Sequence, residues 1–418
     1  MDLDLEEDAD EAERDAPALE DGRCVSDLNR DVPVAGAGEF APLQLGPLQV
    51  WPPVVLAPMA GVTNLAFRSM CREYGAGLYV SEMITARGFL MGNRLTTLLA
   101  SSSPDEKPRS VQVYGTDPKD LGEMVAALVE EGVDHLDINF GCPVPKVTKN
   151  GGGSAIPVKP RLVERLVRAM VSNAGDVPVT VKMRKGIDED LITFEDAARA
   201  AESAGASAVG LHARTAAELY SGNAGWAAIA RLKSILTVPV LGNGDIWECW
   251  DALRMMRETG CDAVIIGRGC LGRPWLFGEL VSVFNGEQPA NPPNFGQIAD
   301  ILLDHARRLS DLFGPEMGIR QVRKWTTWYT KGFRNSAAVR GLLTRVNTFE
   351  ELDALLQQID RDEPFPRQAL RMGRGKGTKR QKVRLPEGYL DQRDDDTPPK
   401  GPHTLEEIRA WERALNGG

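Results

Sequence analysis

The chain has 418 residues, of which 42% are hydrophobic and 26% are charged, a composition typical of a soluble globular protein with a sizeable core. Six cysteines without a C-x-x-C pair and only four histidines argue against a disulfide scaffold and a multi-histidine metal site. No apolar run approaches the roughly 20 residues that a membrane helix needs, and the acidic N-terminus does not resemble a signal peptide. We therefore expect a cytoplasmic protein with no membrane partner.

The net charge of −10 is concentrated at one end of the chain. Residues 1–45 hold 14 acidic and three basic residues, so the rest of the chain carries a net charge of +1. The acid runs are mixed with Ala, Pro and Gly without lasting periodicity, which predicts a disordered acidic tail over residues 1–45. The charge of the remainder does not exclude a polyanionic partner.

Residues 46–290 repeat one cycle, a short apolar run followed by a turn and a helix-like stretch. The cycle predicts eight strands, at Val54–Ala57, Leu78–Ser81, Ser110–Tyr114, His135–Asn139, Val177–Lys182, Ala208–His212, Val238–Leu241 and Ala263–Ile266. Parallel strands covered on both faces read as continuously apolar, as these do. Eight βα units of this total length favour a (β/α)₈ TIM barrel in the α/β class, with a doubly wound sheet as the alternative.

Two further regions follow the predicted barrel. Residues 295–362 contain amphipathic helical patterns and no strand signal, which predicts a small C-terminal helical domain. Residues 363–418 are predicted to be a charged, flexible extension, because 364–384 hold eight Lys or Arg and no acid.

The polar residues of the barrel region cluster just after the predicted strands. Active sites of TIM barrels lie at the C-terminal ends of the strands, so these positions are where we expect the chemistry. Glycine-rich turns follow the last two strands, at Gly242–Asp245 and Gly267–Gly269. Their unobstructed N–H groups predict a phosphate site, although tight turns alone would also explain the glycines. Gly267–Gly272 fits the pattern G-x-G-x-x-G of dinucleotide-binding Rossmann folds. We reject that interpretation, because the motif follows seven βα units instead of opening the fold.

Three strand-end residues have side chains suited to chemistry. Cys142 follows the fourth strand between Gly141 and Pro143, where a thiol can give or take a proton, or can serve only as a small buried hydrophobe. Lys182 ends an apolar strand and needs an electron-rich partner or an ion pair, for example with Glu82 or Asp137. His212 is either a site residue or a satisfied core histidine.

These residues belong to a pattern that resembles the bacterial tRNA-dihydrouridine synthases, most closely their B branch. The matching motifs are Leu56–Thr63, Ser81–Met83, Val111–Gly115, Asp137–Pro143, Gly151–Ala155, Val181–Arg184, Leu211–Thr215, Gly242–Ile246 and Ile266–Gly269. Their order and spacing hold over residues 50–285, and the helical segment to about 360 fits as well. The acidic N-terminal tail and the basic extension depart from the compact family pattern.

The resemblance implies flavin mononucleotide (FMN) at the barrel mouth and NADPH as the reductant. The residues implied in FMN binding are Pro58, Met59 and Ala60 along the ring, Gln112 and Lys182 as hydrogen-bond partners, His212 towards the phosphate, and Asn243, Gly244, Asp245, Gly267 and Arg268 around it. The implied reaction reduces the C5–C6 double bond of uridine, with hydride passing from the flavin to C6 and a proton from Cys142 to C5. Asn139 and Arg184 are the implied anchors of the uracil, which must leave its stack.

The helical segment supports an RNA substrate. Residues 316–345 hold seven Lys or Arg against one Glu. The cations Arg323, Lys324 and Lys331 are interleaved there with the aromatic residues Trp325, Trp328, Tyr329 and Phe333. Cations neutralise phosphates and aromatic rings stack on bases, so the resemblance and this pattern predict tRNA binding by a monomer. The alternative is a helix with core aromatics and a solvated charged face.

Three other functions stay open at this point. A flavin enzyme acting on a free pyrimidine, of the dihydroorotate or dihydropyrimidine dehydrogenase type, would share the barrel without needing the basic helical domain. An RNA-binding protein with an inactive barrel would not need Cys142, Lys182 and the glycine turns. An aldolase or isomerase barrel would use Lys182 for a Schiff base instead of binding flavin.

Overall fold

A computed structural model describes residues 24–75, 77–334, 336–375 and 379–399. These residues divide into two compact units, one made of Val34–Gln288 with the chain from Gly375 onward, and the other made of Pro289–Arg374 with the chain up to Pro33. Among the described residues, no helix has both the length and the apolar content needed to cross a membrane.

The first unit is built on a nine-stranded parallel sheet, with a two-stranded antiparallel hairpin beside it. The hairpin strands are β1 (Leu43–Leu45) and β2 (Leu48–Val50), and the sheet strands are β3 (Val54–Leu56), β4 (Leu78–Tyr79), β5 (Ile84–Thr85), β6 (Ser110–Tyr114), β7 (His135–Phe140), β8 (Val179–Arg184), β9 (Ala208–His212), β10 (Val240–Asn243) and β11 (Ala263–Ile266). The sheet order is β4-β3-β11-β10-β9-β8-β7-β6-β5.

The sheet closes into the predicted TIM barrel. Strands β4 and β5 are two pieces of one strand position, and Val80 between them bridges to Ser110 of β6 in parallel. All eight predicted strands are present, which confirms the fold class. Gln112 on β6, Asp137 on β7 and Thr180 on β8 lie in register with one another and line one partly polar part of the barrel interior. On each strand, the residues directly before and after them are apolar and buried, as the two-residue period of a strand requires.

Helices cover the outside of the barrel and bury one apolar stripe each. They are α1 (Leu65–Glu73), α2 (Ala86–Leu90), α3 (Arg94–Leu99), α4 (Pro118–Glu130), α5 (Pro145–Thr148), α6 (Pro160–Ala174), α7 (Phe194–Ser203), α8 (Ala227–Ile235), α9 (Cys249–Thr259) and α10 (Leu276–Phe284). Helix α6 shows the pattern, because Leu162, Leu166 and Met170 recur every four residues and are fully buried. Asp117 caps α4 by accepting from the N–H groups of Lys119 and Asp120.

The second unit is helical, as predicted. Its helices are α11 (Phe295–Phe313), α12 (Pro315–Tyr329), α13 (Ser336–Leu343) and α14 (Phe349–Leu356). Three aromatic residues that the sequence offered for base stacking, Trp325, Tyr329 and Phe333, are instead buried at 0%, 1% and 4% exposure. Trp325 packs edge-on against His305 of α11 at 4.4 Å between ring centroids. The alternative of core aromatics is therefore the correct one for these three residues.

The two predicted tails need correction where the structure describes them. Residues 24–45 are not a disordered tail: Val25, Leu43 and Leu45 are buried, and Glu39 forms an ion pair with Arg257. Residues 379–399 are not a free extension, because they lie against barrel loops and bury Tyr389. Both segments were predicted to be flexible because they contain many charged residues, and their widely spaced apolar residues give no clear signal of a buried face. The rest of the predicted tails, residues 1–23 and 400–418, lies outside the described residues.

Candidate active site

The strand-end residues predicted to carry chemistry converge at one end of the barrel. Asn139 on β7 lies in register with Lys182 on β8. Arg184 on β8 lies in register with His212 on β9, and His212 in turn with Asn243 on β10. Since all these strands are parallel, the register brings their C-terminal ends to one rim.

A cleft of about 530 Å³, including its opening to solvent, lies at this rim. Its lining contains nine of the eleven residues predicted to bind cofactor, namely Pro58, Met59, Lys182, His212, Asn243, Gly244, Asp245, Gly267 and Arg268. The other two lie elsewhere: Ala60 is exposed on its loop, and Gln112 is fully buried in the barrel interior.

The glycine turn after β11 forms the end of the cleft suited to an anion. A Cβ atom added to Gly267 would lie 3.9 Å from the Ala57 side chain and 4.0 Å from the Met59 sulfur, in space that the bare backbone leaves open. The N–H groups of Arg268 and Gly269 donate to no described residue. Free N–H donors at a short helix start, next to a guanidinium, are the features that bind phosphate.

Arg268 is held in place by two aromatic rings and a carboxylate. Its guanidinium lies 4.4 Å from the ring centre of Tyr220 and 5.0 Å from that of Trp247, and both rings line the cleft. These aromatics lie in the loops after β9 and β10 and were not among the predicted site residues. An aromatic residue shortly after a predicted strand end was the available signal.

The Asp245 side chain has three partners within the protein. Its carboxylate accepts from Arg214 at 2.8 Å, from the N–H of Ala224 at 2.7 Å and from Arg268 at 3.4 Å. These bonds orient the two cations, and the predicted role of Asp245 in cofactor binding stays a prediction. Its φ of 55° is rare for a non-glycine residue and helps to aim the side chain back at Arg214.

Lys182 and His212 lie on the wall of the cleft with altered proton affinities. Lys182 Nζ donates to Asn243 Oδ1 at 3.1 Å, and Asn243 Nδ2 donates to the carbonyl of Ile265 at 2.8 Å. Burial and the nearby charge of Arg184 lower the pKa of Lys182, and the charge of Asp137 opposes this shift. Burial, reinforced by the nearby cations, lowers the pKa of His212 well below its ordinary value, so its ring is neutral at pH 7.

A chain of buried polar groups runs from the barrel interior to the loop after β7. Asp137 accepts from Thr180 Oγ1 and from Gln112 Nε2, both at 2.6 Å. Gln112 Oε1 then accepts from Asn139 Nδ2 at 2.8 Å. Further inside, His135 lies 3.0 Å from Thr180 Oγ1. Burial raises the pKa of Asp137 and lowers that of His135 to about 3, so His135 is neutral.

Cys142 lies at the outer end of this chain. Asn139 Oδ1 accepts from the N–H groups of Gly141 at 3.0 Å and of Cys142 at 2.9 Å, which fixes the loop. The Cys142 carbonyl accepts from the N–H of Ser154 at 3.0 Å. Burial raises the pKa of the Cys142 thiol to about 11, so the group is protonated at pH 7 and suited to donate a proton.

Both predicted uracil anchors hold the Cys142 loop in the structure. Asn139 makes the contacts just described. Arg184 donates through Nε to the carbonyl of Gly141 at 3.1 Å and through Nη1 to the carbonyls of Thr215 and Leu219 at 2.9 and 3.0 Å. Each side chain retains further N–H groups, but its position beside Cys142 is set by these internal bonds.

The three cations predicted to bind RNA lie in the helical unit. Arg323 donates to the carbonyl of Val346 at 2.9 Å, and Lys331 donates to the carbonyl of Gly373 at 2.6 Å. Lys324 donates to Gln321 at 2.8 Å on the same helix. Arg323 and Lys331 therefore stabilise turns of this unit.

The described residues contain no cluster of three or more His, Cys, Asp or Glu arranged to hold a metal ion. The cleft does suit a planar cofactor that carries a phosphate. Its lining combines cations and free N–H groups with the apolar side chains of Pro58 and Met59.

Comparison with known proteins identifies the family. The family model described as "Dihydrouridine synthase (Dus)" matches residues 55–365, which include the barrel strands and most of the helical unit. The chain belongs to the dihydrouridine synthase family. The resemblance found in the motifs is thereby confirmed, and the match extends through the helical segment.

Named relatives are similar over most of their length. A probable tRNA-dihydrouridine synthase of Mycobacterium tuberculosis is 50% identical over 370 residues, covering 86% of this chain and 95% of that protein. One of Mycobacterium leprae is 46% identical, covering 84% and 99%. The tRNA-dihydrouridine synthase B of Xanthomonas axonopodis is 40% identical over 306 residues, covering 73% and 92%.

Proposed function

We propose that this protein is a flavin-dependent tRNA-dihydrouridine synthase, which reduces the C5–C6 double bond of uridine in tRNA with Cys142 as the proton donor. Family membership and the named relatives support the reaction and the substrate. The observation that carries the residue assignment is a protonated, partly buried thiol on the rim that also holds the phosphate-suited cleft. tRNA as substrate is consistent with a cytoplasmic enzyme.

The cofactor proposed for the cleft is FMN, which when bound supplies the hydride for C6 of the uracil. Arg268 and the N–H groups of residues 268 and 269 would hold its phosphate. Lys182 would lie beside the ring and place a positive charge where the reduced ring is electron-rich. Tyr220 and Trp247 keep Arg268 in place and shield the phosphate end from water.

The protein's own part in the reduction is to hold one proton at a fixed position. Asn139 and Arg184 anchor both sides of Gly141 and so set the direction of the Cys142 thiol. The high pKa keeps the thiol protonated until C5 of the uracil accepts the proton. The target uridine must be flipped out of its stack to reach this rim.

The alternatives from the sequence analysis are less well supported. A free-pyrimidine dehydrogenase would not need the helical unit, yet the family model covers that unit to residue 365. A Schiff-base enzyme would need Lys182 free, whereas its amine is bound to Asn243. An inactive barrel would not explain the ordered chain from Asp137 to Cys142.

The purified protein tests the proposal directly. Supplied with FMN and NADPH, it should convert uridine to dihydrouridine in tRNA isolated from cells that lack its gene. NADH is the matched reductant control, and free uridine and orotate are the matched substrate controls. Reduction of a free pyrimidine without reduction of tRNA would replace the proposal with the dehydrogenase alternative.

A further inference from the structure

Residues 379–399 form a strap that lies beyond the family model and against the rim of the barrel. Gln381 is its main anchor. The Gln381 N–H donates to the carbonyl of Ala217 at 2.9 Å, and its side-chain amide donates to the carbonyls of Pro143 at 2.8 Å and Ala216 at 3.0 Å. Pro143 directly follows Cys142, so the strap is tied to the loop that carries the proposed proton donor.

The strap is fixed along its length by apolar and polar contacts. Val383 and Leu385 pack against Ala155 and Val158. Tyr389 is buried, and its hydroxyl donates to the carbonyl of Ala155 at 3.3 Å. Towards the far end, Lys159 and Asp395 form an ion pair at 2.9 Å. A segment with these contacts holds the side chains on its outer face at defined positions.

The side chains of the strap alternate between the two faces. Gln381, Val383 and Leu385 are partly buried, whereas Arg380, Lys382 and Arg384 are exposed. This is the two-residue period of an extended chain, which puts alternate residues on one face about 6.6 Å apart. Residues 379–385 contain four cations and no acid, so the outer face is a row of positive charges.

Little inside the protein neutralises this row. Lys382 and Arg384 make no ion pair with any described residue. Arg380 pairs with Glu189, but the two side chains are 58% and 68% exposed, so the pair is easily exchanged for another anion. The row therefore presents cations on a braced backbone next to the active-site loop.

We propose that Arg380, Lys382 and Arg384 bind backbone phosphates of the tRNA beside the uridine that enters the site. The inference rests on the proposed function for the identity of the polyanion, and on the strap for the position. Phosphate contacts orient a nucleic acid without reading its sequence, so the strap sets affinity and placement and leaves the choice of uridine to other contacts.

The test compares two full-length triple variants with the parent. The strap variant is Arg380→Gln, Lys382→Gln and Arg384→Gln. The matched control is Lys119→Gln, Arg168→Gln and Arg231→Gln. It removes the same charge from exposed cations on helices α4, α6 and α8, and each of these cations is paired with an acid. The affinity for tRNA is measured by titration at several salt concentrations, and kcat and KM by dihydrouridine formation.

In the strap variant we expect the slope of log affinity against log salt to fall by roughly 0.7 to 0.9 for each lost phosphate contact. KM should rise while kcat stays close to the parent value, because the contact is made equally in the ground and transition states. The control should keep the parent slope and KM.

Two results would overturn the inference. An unchanged slope in the strap variant would mean that the row is only solvated, and an equal fall in both variants would mean that net charge alone is responsible. Failure of the proposed function is recognised separately, because the parent would then form no dihydrouridine. If the parent still binds tRNA, the titration reports on the strap without turnover, and a parent that does not bind tRNA would overturn the inference as well.

Discussion

The side chain of Asn139 accepts the backbone N–H of Cys142 at 2.9 Å, and it does so while donating to Gln112 at 2.8 Å. The loop that carries the thiol is thus connected to a buried acid, Asp137, through two amide side chains. Each amide side chain can serve both of its partners in only one orientation, so the hydrogen bonds from Asn139 through Gln112 to Asp137 all run in one direction.

Replacing Asn139 should slow uridine reduction by releasing the Cys142 loop. Asn139→Ala leaves two backbone N–H groups without their acceptor, at a cost of about 1–3 kcal/mol for a buried group. Asn139→Asp retains the acceptor for both N–H groups, although its second oxygen then faces Gln112 Oε1, so it should keep more of the activity than Asn139→Ala. Single-turnover rates with bound tRNA measure the difference. If both variants equal the parent, Asn139 does not position Cys142.

Cys142→Ala should remove most of the reduction while keeping flavin. A positioned general acid typically contributes about 10² to 10⁴ in rate. Because the thiol pKa is about 11, the parent rate should not fall through loss of this proton between pH 6 and 9. Rates measured over that range, with flavin absorbance as the check on cofactor content, test both statements. A variant that also loses its flavin would indicate a structural role.

Arg268→Gln should weaken FMN binding by about 10- to 100-fold, the worth of one charge-assisted hydrogen bond to a buried phosphate. Riboflavin has the same ring without the phosphate and is the matched ligand. Its affinity should be the same for variant and parent. Fluorescence titration of the flavin-free proteins gives all four affinities. An equal loss for FMN and riboflavin would place Arg268 at the ring instead.

Charge removal at Arg323, Lys324 and Lys331 should flatten the salt dependence of tRNA binding, but by less than the loss of three phosphate contacts would. Arg323 and Lys331 already hold backbone carbonyls, so we expect the triple variant to lose less slope than the roughly 2.1 to 2.7 that three free phosphate contacts would give. The same titration with Lys324→Gln alone measures the share of that residue. An unchanged slope in the triple variant would remove these residues from the RNA surface.

The buried histidine His305 should make the helical unit less stable in acid. Burial lowers its pKa in the folded protein to about 3, below the ordinary value of 6.5. The unfolded state therefore binds one more proton between those values, and the stability present above pH 6.5 is lost as the pH falls, by up to about 1.4 kcal/mol per pH unit.

The variant His305→Gln isolates this effect because glutamine can still hydrogen-bond Tyr329 without titrating. Denaturant unfolding at pH 7.5, 6.0 and 5.0 should show a shallower pH dependence for the variant. Parallel curves for variant and parent would mean that His305 has the same pKa in the folded and unfolded states.

The strands and the glycine turns were predictable because their signals are local. Parallel barrel strands are apolar runs of fixed length, and the turns after β10 and β11 contain the glycines that a close approach to phosphate needs. The position of Cys142 after a strand was likewise visible in the sequence.

The remaining features depend on contacts between residues far apart in the chain. Nothing near Asp245 shows that Arg214 and Arg268 will share its carboxylate. Trp325 lies among cations in the sequence, but the face of α12 that carries it packs on His305. The strap was read as a flexible extension because its anchors lie about 165 and 238 residues away, at Ala216 and Pro143.

The most direct test of the account is the dihydrouridine content of tRNA after reaction with the parent protein and with Cys142→Ala. Mass spectrometry of tRNA from gene-deleted cells, incubated with each protein, FMN and NADPH, counts the product. We expect dihydrouridine to form with the parent, and to form at least about 100-fold more slowly with the variant. Equal rates with both proteins would contradict the role of Cys142, and no dihydrouridine with the parent would contradict the proposed function itself.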